Sequence, residues 1–587
     1  MSILDYFNPA LEARLDQCTA LSAIEKAFDS GVRVFRADLP TGIGKTEIGM
    51  ATARWKRQGV ICTVQNTLLE AYRDLGAYPL KGKKNYDCDF FQVKSKEAGG
   101  CETAARVWDT GSNQPDKDDW KLIDEMRDSS VANKHTHEIC LYLANKQIYV
   151  HALLCRNYCV YRRMAEKASI VVTNYDYQIV RPFIRPLLIL DEGHHAGEKI
   201  LDHVSITVTR NDCQECKVTW PDFLAKPKNE INIHKALHWI RTDFHNAAHR
   251  HLSIFQDTLS TLDLNQRGRL VKLLNRLQEQ LEKIKPLDEN FFASTTDGGN
   301  LQFRPFDPSP YANKILGESA SVLVMSGTLN LERVRWELGL PEDKDGELSE
   351  MRLESPFPKE NRPIEPQYVS CSMSRPRNIS NSEFEAIKQE RMTEHIVPKV
   401  RELLERHRYH KGVIFTQSYG NAERLMKGLR DPRLLLHESD GESRKDVIKQ
   451  HSESREPTVI VTPSMTEGLD LKDDLGRFCI ILKIPFGDLG NPYVRARTNR
   501  KQHDHGRYLD DMTCTLMQES GRCVRHDRDW AHTYILDSGL RYHGAQGLIR
   551  QLLRKWWLDA WVSLPTIAII PECDCRSCLN QRAEMAS

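Results

Sequence analysis

The sequence predicts an α/β fold with two parallel-sheet units, and the evidence is its apolar runs, their repetition and its length. Short apolar runs that end in turn or polar residues, such as residues 32–35 and 59–64, are typical of strands buried on both faces of a parallel sheet. The pattern resumes after residue 320, which indicates a second sheet. A chain of 587 residues exceeds what one hydrophobic core usually supports, so several domains are expected. The other predicted strands are residues 168–173, 187–190, 321–325, 412–416, 458–462 and 478–484.

Two segments interrupt this alternation of strands and helices. Residues 81–161 contain cysteines and polar residues with little strand pattern, which indicates an inserted module. Residues 202–287 are predicted to be helical, because aliphatic residues recur there at spacings of three and four. That stripe consists of Leu270, Leu273, Leu274, Leu277, Leu281 and Ile284. The proline-containing residues 354–366 are interpreted as the connector between the two units.

The composition excludes several classes of protein. The chain has 82 Lys and Arg residues against 81 Asp and Glu, so no overall field draws it to a polyanion and any nucleic-acid surface has to be local. Hydrophobic residues make up 40% and charged residues 28%, as in ordinary globular proteins and unlike disordered or collagen-like chains. Neither a membrane-spanning apolar run nor a secretory signal is visible, so we expect a reducing compartment.

A phosphate-binding loop is predicted directly after the first strand. The segment LPTGIGKT at residues 39–46 lies between that strand and a helical stretch that begins at Glu47. Glycines there let backbone N–H groups surround phosphate oxygens, and the following helix N-terminus favours negative charge. Lys45 is predicted to reach the terminal phosphates and Thr46 to hold Mg²⁺. The predicted nucleotide-binding residues are Pro40, Thr41, Gly42, Ile43, Gly44, Lys45 and Thr46.

Two carboxylates follow another buried strand. Residues 187–190 are apolar and run directly into Asp191 and Glu192, which places both acids at the carboxyl end of a strand, where open α/β sheets bind ligands. Asp191 is a candidate Mg²⁺ ligand through water. Glu192 is a candidate base for the water that attacks a phosphoryl group.

A third polar group lies near the other end of the chain. Arg522 and Arg525 are three residues apart on a predicted helix, which would place them on one face. Arginine suits the charge that builds on a transferred phosphoryl group, because its planar fork binds two oxygens.

The ordered set of motifs resembles that of the XPD/DinG family of superfamily 2 helicases. The matching segments are PTGIGKT at 40–46, DEGHH at 191–195, MSGTL at 325–329, VIFT at 413–416, TEGLD at 466–470 and QESGRCVR at 518–525. The resemblance spans nearly the whole chain. It implies two RecA-like motor domains with ATP between them, an iron–sulfur insertion and a helical arch insertion.

The same resemblance implies a domain order. Residues 1–80, 166–201 and 306–365 would form motor domain 1, with the iron–sulfur domain at 81–165 and the arch at 202–305. Motor domain 2 would cover residues 366–587.

Several residue roles also come from the resemblance. Arg522 and Arg525 would act as arginine fingers, and Gln518 would lie beside the γ-phosphate. Glu467, Gly468 and Asp470 would couple the nucleotide state to the DNA groove. Gln17 would recognise the adenine base. The segment TVQNTL at 63–68 resembles motif Ia of the family, and Ala71 stands where a glutamine is often found a few residues later.

Four cysteines lie where the family inserts a [4Fe–4S] module. Cys88 and Cys101 enclose twelve residues, and Cys155 and Cys159 enclose three. Thiolates suit iron, and four of them complete the external sites of a cubane cluster. A zinc ion bound by the same four cysteines stays an alternative, because a tetrahedral set of four sulfur ligands suits both metals. Cys140 is an alternative to Cys101.

Other cysteines and histidines are weaker metal candidates. Cys213 and Cys216 are spaced closely enough for zinc, as are Cys573, Cys575 and Cys578, but neither group has four ligands by itself. A solvated helix face is the preferred interpretation of His234, His238, His245, His249 and His251.

The resemblance implies an ATP-dependent DNA helicase that translocates on single-stranded DNA with 5′-to-3′ polarity. Expected partners are single-stranded DNA, forked duplex DNA and R-loops, with no membrane, while protein partners are not indicated. Helicases of this kind act in DNA repair, replication, R-loop removal and CRISPR or phage processes. The expected location is the cytoplasm or nucleoid, or the host cytoplasm if a phage encodes the chain.

There are two alternatives to this function, and the second belongs to another class. One is an ATP-dependent translocase that acts on RNA or RNA–DNA hybrids. The other is a non-catalytic scaffold, which intact Lys45, Asp191, Glu192 and Arg525 argue against. Only about 30 residues precede the first predicted strand, so no N-terminal exonuclease domain is expected.

Overall fold

The structure is a computed structural model of the 587-residue chain. It describes residues 1–64, 66–82, 85–86, 115–128, 138–139, 142–143, 146, 148, 158–226, 229–258, 264–341, 349–369, 380–438, 441–463, 469–499, 502–542 and 547–562.

The strands are numbered in chain order. They are β1 Val34–Asp38, β2 Gly59–Thr63, β3 Tyr78–Pro79, β4 Ile170–Asn174, β5 Leu187–Asp191, β6 Ile206–Val208, β7 Phe291–Thr295, β8 Leu301–Pro305, β9 Ser321–Ser326, β10 Glu350–Arg352, β11 Ile364–Pro366, β12 Gly412–Phe415, β13 Leu434–Leu436, β14 Val459–Thr462, β15 Phe478–Ile481 and β16 His532–Ile535.

The α-helices alternate with these strands over most of the chain. They are α1 Leu15–Asp29, α2 Lys45–Trp55, α3 Asn66–Asp74, α4 Lys117–Asp128, α5 Tyr158–Lys167, α6 Tyr175–Val180, α7 Ala196–Val204, α8 Arg210–Glu215, α9 Ile233–Trp239, α10 His245–Thr258, α11 Leu264–Ile284, α12 Asn313–Leu316, α13 Leu331–Glu337, α14 Asn381–Arg391, α15 Val397–Arg406, α16 Tyr419–Leu429, α17 Gly441–Glu453, α18 Pro492–Asn499, α19 Gln502–Ser520, α20 Gly539–Tyr542, α21 Leu548–Leu552 and α22 Lys555–Asp559.

The first domain is built on a parallel sheet with the strand order β10-β1-β9-β5-β2-β4-β3. Successive side chains of a strand point to opposite faces, and helices cover both faces here. Along β5, Leu187 and Ile189 pack with residues of α1, α2 and α3, whereas Leu188 and Leu190 pack with residues of α6, α7 and α13. Burial on both sides explains why the sequence shows unbroken apolar runs.

This strand order positions the candidate site. Strands β1, β9 and β5 are neighbours, so the segments that follow them meet at one edge of the sheet. These segments are the glycine loop after β1, the turn after β9 and the two carboxylates at the end of β5.

The second domain is built on a parallel sheet with the order β11-β16-β15-β12-β14-β13. Its strands are also sandwiched between two cores: Val413 and Phe415 of β12 face one core, and Ile414 faces the other. The sheet begins at Ile364, within the predicted connector. The α/β fold class predicted from the sequence is confirmed.

The segment between α7 and α12 contains helices and a small antiparallel sheet with the order β6-β8-β7. It has its own core, which includes Leu273, Leu277 and Leu281 of the predicted stripe. The sequence indicated only helices here, because strands of three to five residues carry little periodic signal. The hydroxyl of Tyr493 in α18 donates to the carbonyl of Pro305 at 2.8 Å, so this insertion also touches the second domain.

None of the described helices is long and apolar enough to cross a membrane.

Candidate active site

A cavity of about 460 Å³ lies between the carboxyl edge of the first sheet and the end of α19 in the second domain. Both domains contribute polar side chains to it. The lining residues are Thr41, Gly42, Gly44, Lys45, Thr46, Thr67, Leu68, Asp191, Glu192, Gly327, Leu469, Asp470, Gln518, Arg522 and Arg525. The structure therefore brings together the predicted phosphate loop, the two carboxylates, Gln518 and both arginines.

The glycine loop has the backbone that phosphate binding requires. Gly42 and Gly44 have φ values of +85° and +87°, a left-handed conformation that favours glycine. A Cβ on Gly44 would also lie 2.5 Å from the Gln17 amide nitrogen. Leu39, just before the loop, is buried and its N–H donates to the carbonyl of Ser326 at 2.8 Å. An apolar residue is therefore suitable at position 39, because Leu39 belongs to the hydrophobic core and not to the phosphate-binding loop.

Gln17 lies against the back of this loop. Its side-chain amide donates to the carbonyl of Ile43 at 2.9 Å, and its oxygen accepts from the N–H of Arg14 at 2.9 Å. Gln17 thus supports the loop, and its role in adenine recognition stays a prediction.

The carboxylate of Asp191 is held by two donors. The hydroxyl of Tyr72 donates to Oδ2 at 3.0 Å, and the N–H of Glu192 donates to Oδ1 at 3.0 Å. Burial raises the pKa of Asp191 to about 7, and the adjacent Glu192 carboxylate raises it as well, while Lys45 acts in the opposite direction. A bound cation would favour the ionised form. Each oxygen keeps a lone pair, so Asp191 together with Thr46 fits a Mg²⁺ site.

Glu192 is in a strained conformation directly after β5. Its φ of +54° is left-handed, which is uncommon for a residue other than glycine and is found at functional sites. The carboxylate projects toward the phosphate loop, where Oε1 lies 3.7 Å from the Lys45 ammonium. Its Oε2 accepts from the hydroxyl of Ser326 at 2.9 Å.

A chain of hydrogen bonds links this carboxylate to the second domain. Gln518 Nε2 lies 3.1 Å from His194 Nε2, and His194 Nδ1 lies 2.7 Å from the Ser326 hydroxyl. One assignment satisfies every partner: the amide of Gln518 donates to His194, the Nδ1–H of His194 donates to Ser326, and Ser326 donates to Glu192. Gln518 of the second domain is thus connected to Glu192 through the side chains of His194 and Ser326.

The two arginines are in the cleft but not on a helix, so that part of the prediction was wrong. Helix α19 ends at Ser520, and Gly521 follows in a turn. Arg522 and Arg525 belong to the loop beyond, where their spacing no longer implies a shared helical face. The Nε of Arg525 donates to Asp470 at 2.6 Å, and the N–H of Arg525 donates to Asp529 at 3.0 Å.

Some predicted residues lie outside the described part of the chain. Glu467 and Gly468 do, as do Cys88, Cys101 and Cys155. Cys159 lies in the first turn of α5, just before β4, and its side chain is not described. The metal predictions for these cysteines therefore stay predictions.

Three buried ion pairs between the two domains were not found from the sequence. We call Asp38–Arg554, Arg333–Asp510 and Glu337–Arg507 the ionic contacts. Their N–O distances are 2.7, 2.8 and 2.9 Å, respectively. The first pair adjoins the phosphate loop, since Asp38 is the last residue of β1. Charged residues on helices normally indicate a solvated face, so only the packing of the two domains reveals these pairs.

Glu519 is a second group that sequence reasoning missed. It is fully buried beside Gln518, and Oε1 accepts from the amide of Gln417 at 2.6 Å. Burial raises the pKa of Glu519 to about 8, although the hydrogen bond from Gln417 and the charge of Arg522 both act to lower it. Gln417 itself has a φ of +62°. This contact ties the loop after β12 to the end of α19.

The other metal candidates have ordinary structural roles where they are described. Cys213 and Cys216 are buried in the core of the insertion, and burial raises the pKa of both thiols. Among the described residues they are not grouped with further ligands. His234, His238 and His249 are exposed, as expected of a solvated face.

Comparisons with known proteins agree with this geometry. Residues 400–560 match the model of the helicase C-terminal domain family. An ATP-dependent DNA helicase CHL1 from Eremothecium gossypii is 24% identical over 372 residues, which is 57% of this chain and 44% of that protein. An ATP-dependent DNA helicase DinG from Photobacterium profundum is 32% identical over 105 residues, 16% of this chain and 15% of that protein. The chain thus matches less than half the length of these relatives.

A solved XPD helicase structure has the same fold. It superimposes with a TM-score of 0.56 at 14% identity and covers 93% of this chain and 99% of that one. The ordered motifs, the matched C-terminal domain and the shared fold together support a likeness of this chain to XPD/DinG-type helicases of superfamily 2.

Proposed function

We propose that this chain is an ATP-dependent DNA helicase that moves 5′ to 3′ along single-stranded DNA and opens forked duplexes. The observation that carries the proposal is the composite cleft, in which Lys45, Asp191 and Glu192 of the first domain face Gln518 and Arg525 of the second. Such a site can be complete only when the two domains are together. Hydrolysis in it would therefore alternate with domain movement. The DNA helicases named above support DNA as the substrate.

The residues of the cleft account for each part of phosphoryl transfer. Lys45 and the loop amides would bind the β- and γ-phosphates, so Lys45 would exchange its contact with Glu192 for phosphate oxygens. Glu192 would accept a proton from the attacking water as the bond between the γ-phosphorus and the leaving ADP oxygen breaks. Mg²⁺, held by Thr46 and Asp191, would supply positive charge to the phosphates.

The second domain would stabilise the transition state. Arg525 is held by Asp470, and a γ-phosphate could replace that carboxylate as its partner. Gln518 would report the nucleotide state to Glu192 through His194 and Ser326. After phosphate release the attraction between Arg525 and the γ-phosphate would be lost. The cleft would then reopen, which would change how tightly each domain holds the DNA strand.

We also propose that Cys88, Cys101, Cys155 and Cys159 hold a [4Fe–4S] cluster in a small domain that helps to separate strands. The support is the cysteine spacing and its place between β3 and β4 of the first domain. The cluster would cross-link the inserted segment, because four thiolates from distant positions in the chain would bind the same cluster.

Strand displacement tests polarity and substrate together. Anaerobically purified protein is given ATP and duplexes with a 5′ DNA tail, a 3′ DNA tail or the corresponding RNA tails, with Lys45→Ala as the matched inactive protein. Unwinding from the 5′ DNA tail alone is expected. Unwinding from the 3′ tail would overturn the polarity, and unwinding confined to RNA tails would favour an RNA or hybrid translocase.

Iron and sulfide content tests the metal proposal. Wild-type protein is expected to contain both, and Cys159→Ser should lose them and lose unwinding more than ATP turnover. Cys18→Ser is the matched control, since Cys18 is half-buried in α1. Zinc without sulfide in the wild type would refute the cluster, and unchanged iron in Cys159→Ser would remove that residue from the ligand set.

A further inference from the structure

We propose that Tyr72 is a positioning residue that orients the Mg²⁺-binding carboxylate of Asp191 and links it to helix α3. The proposal rests on the function proposed above, and names a residue that no motif of the chain includes.

The geometry of the contact is specific to the carboxylate. Tyr72 is completely buried, and its hydroxyl donates to Oδ2 of Asp191 at 3.0 Å. The N–H of Glu192 fixes the other oxygen, Oδ1. With one donor on each oxygen, the plane of the carboxylate cannot rotate freely, and the remaining lone pairs have defined directions. Partners of this kind behind a metal ligand typically change metal affinity by 10–100-fold when they are removed.

Helix α2 leaves space for the hydroxyl. A Cβ on Gly49 would lie 2.9 Å from Tyr72 Oη and 2.8 Å from the Met325 methyl group. Glycine in the middle of a helix lowers its stability by about 0.5–1 kcal/mol relative to alanine. The close approach at Gly49 is therefore the structural reason for a glycine here. A phenol in an apolar core needs a partner for its hydroxyl, and Asp191 is that partner.

Helix α3 connects this hydroxyl to the cleft and to the segment that matches motif Ia. Thr67 and Leu68, in the first turn of the helix, line the nucleotide cavity, and Tyr72 follows a little more than one turn later. Helix α3 is a single uninterrupted element of nine residues, so we expect a displacement of its first turn to reach Tyr72. A single DNA strand that binds at the N-terminal end of α3 would therefore shift the Tyr72 hydroxyl relative to Asp191. We infer that stimulation of ATP hydrolysis by single-stranded DNA passes through this hydrogen bond.

Tyr175 provides a matched control. It is also completely buried and its hydroxyl also donates to Asp191, but to the backbone carbonyl, at 2.9 Å. Loss of that hydroxyl removes a buried hydrogen bond of similar length without releasing the carboxylate. Tyr72→Phe and Tyr175→Phe thus differ in which atom of Asp191 loses its donor.

The experiment measures binding of a fluorescent ADP analogue with and without Mg²⁺ in wild type, Tyr72→Phe and Tyr175→Phe. Tyr72→Phe should reduce the Mg²⁺-dependent gain in affinity about tenfold and leave Mg²⁺-free binding unchanged, whereas Tyr175→Phe should keep the full gain. The ratio of ATP turnover with and without single-stranded DNA should fall in Tyr72→Phe alone.

The outcomes separate the two proposals. If wild type binds the analogue with a Mg²⁺-dependent gain and the two variants behave alike, the role of Tyr72 is overturned while the proposed function stands. If wild type shows no Mg²⁺-dependent nucleotide binding, the proposed function and the inference both fail. A normal Mg²⁺ gain in Tyr72→Phe combined with lost DNA stimulation would overturn the positioning of Asp191.

Discussion

The two domains meet in two different ways, and the difference indicates where movement is easy. In the cleft they are joined by neutral hydrogen bonds of Gln518, to His194 at 3.1 Å and to Thr328 at 3.4 Å. They are also joined by the ionic contacts, whose residues are mostly buried and do not line the cavity. Separating a buried ion pair leaves desolvated charges, whereas a neutral hydrogen bond is readily exchanged for one with water. We expect the domains to pivot about the ionic contacts while the cleft opens.

The largest effect is expected from Lys45→Ala, which tests the chemistry of the cleft apart from its stability. Lys45 lines the cleft, where its ammonium lies 3.7 Å from Glu192 Oε1. Steady-state ATP turnover should fall at least about 100-fold, because the charge that stabilises the phosphates is lost, while Tm stays the same. Lys285→Ala, an exposed lysine in the insertion, is the control. Sustained hydrolysis by Lys45→Ala would show that the cleft is not the catalytic site.

Arg525→Ala tests whether the second domain completes the site. Nucleotide binding should persist and turnover should fall about 1,000-fold, as expected when an arginine finger is removed. Arg528→Ala, an exposed arginine in the same loop, should behave as wild type. The two are compared by single-turnover hydrolysis and by nucleotide titration. Retained turnover in Arg525→Ala would assign the role to another arginine.

Arg333→Met tests the ionic contacts. The change leaves Asp510 and Glu337 without their shared arginine in a buried site, so the protein should lose about 3 kcal/mol of stability, which in a chain of this length lowers Tm by about 2–3 °C. Arg335→Met, on the same helix, is the control because Arg335 pairs with the exposed Glu332. Equal Tm values for the two variants, measured by calorimetry, would remove the distinction between the two kinds of contact.

The smallest effect concerns Glu519, which adjoins the cleft but is held within the second domain. Its folded pKa of about 8 lies above the unfolded value of 4.5, so the folded protein retains a proton that the unfolded chain releases. The contribution of Glu519 to the free energy of unfolding therefore falls as pH rises from 4.5 to about 8. Glu519→Gln should remove that dependence, so the stability of the variant relative to wild type should rise with pH across this range.

The measurement is the Tm difference between Glu519→Gln and wild type at several pH values. Glu405→Gln, an exposed change in the same domain, should show a constant difference. A constant difference for Glu519→Gln would mean that Glu519 is ionised at neutral pH.

Long buried strands were predictable, and short ones were not. Residues 59–64 and 187–190 gave the positions of β2 and β5 to within one residue, because burial on both faces requires an unbroken apolar run. Strands β6, β7 and β8 were missed, since a few alternating residues are also compatible with helix or loop. The helical position of Arg522 and Arg525 was wrong because glycine at 521 ends the helix before them.

The sequence by itself predicted most of the polar residues that the structure brings together in the cleft. Glycines, lysine and carboxylates at strand ends have a local chemical signature, because phosphate binding needs those residue types next to one another in the chain. Only the tertiary structure decided how the cleft is supported. The contacts of Tyr72 with Asp191, Gln518 with His194 and Arg554 with Asp38 join residues separated by 119, 324 and 516 positions, respectively. Such pairs leave no local pattern, since their geometry arises from the order of the strands and the packing of two domains.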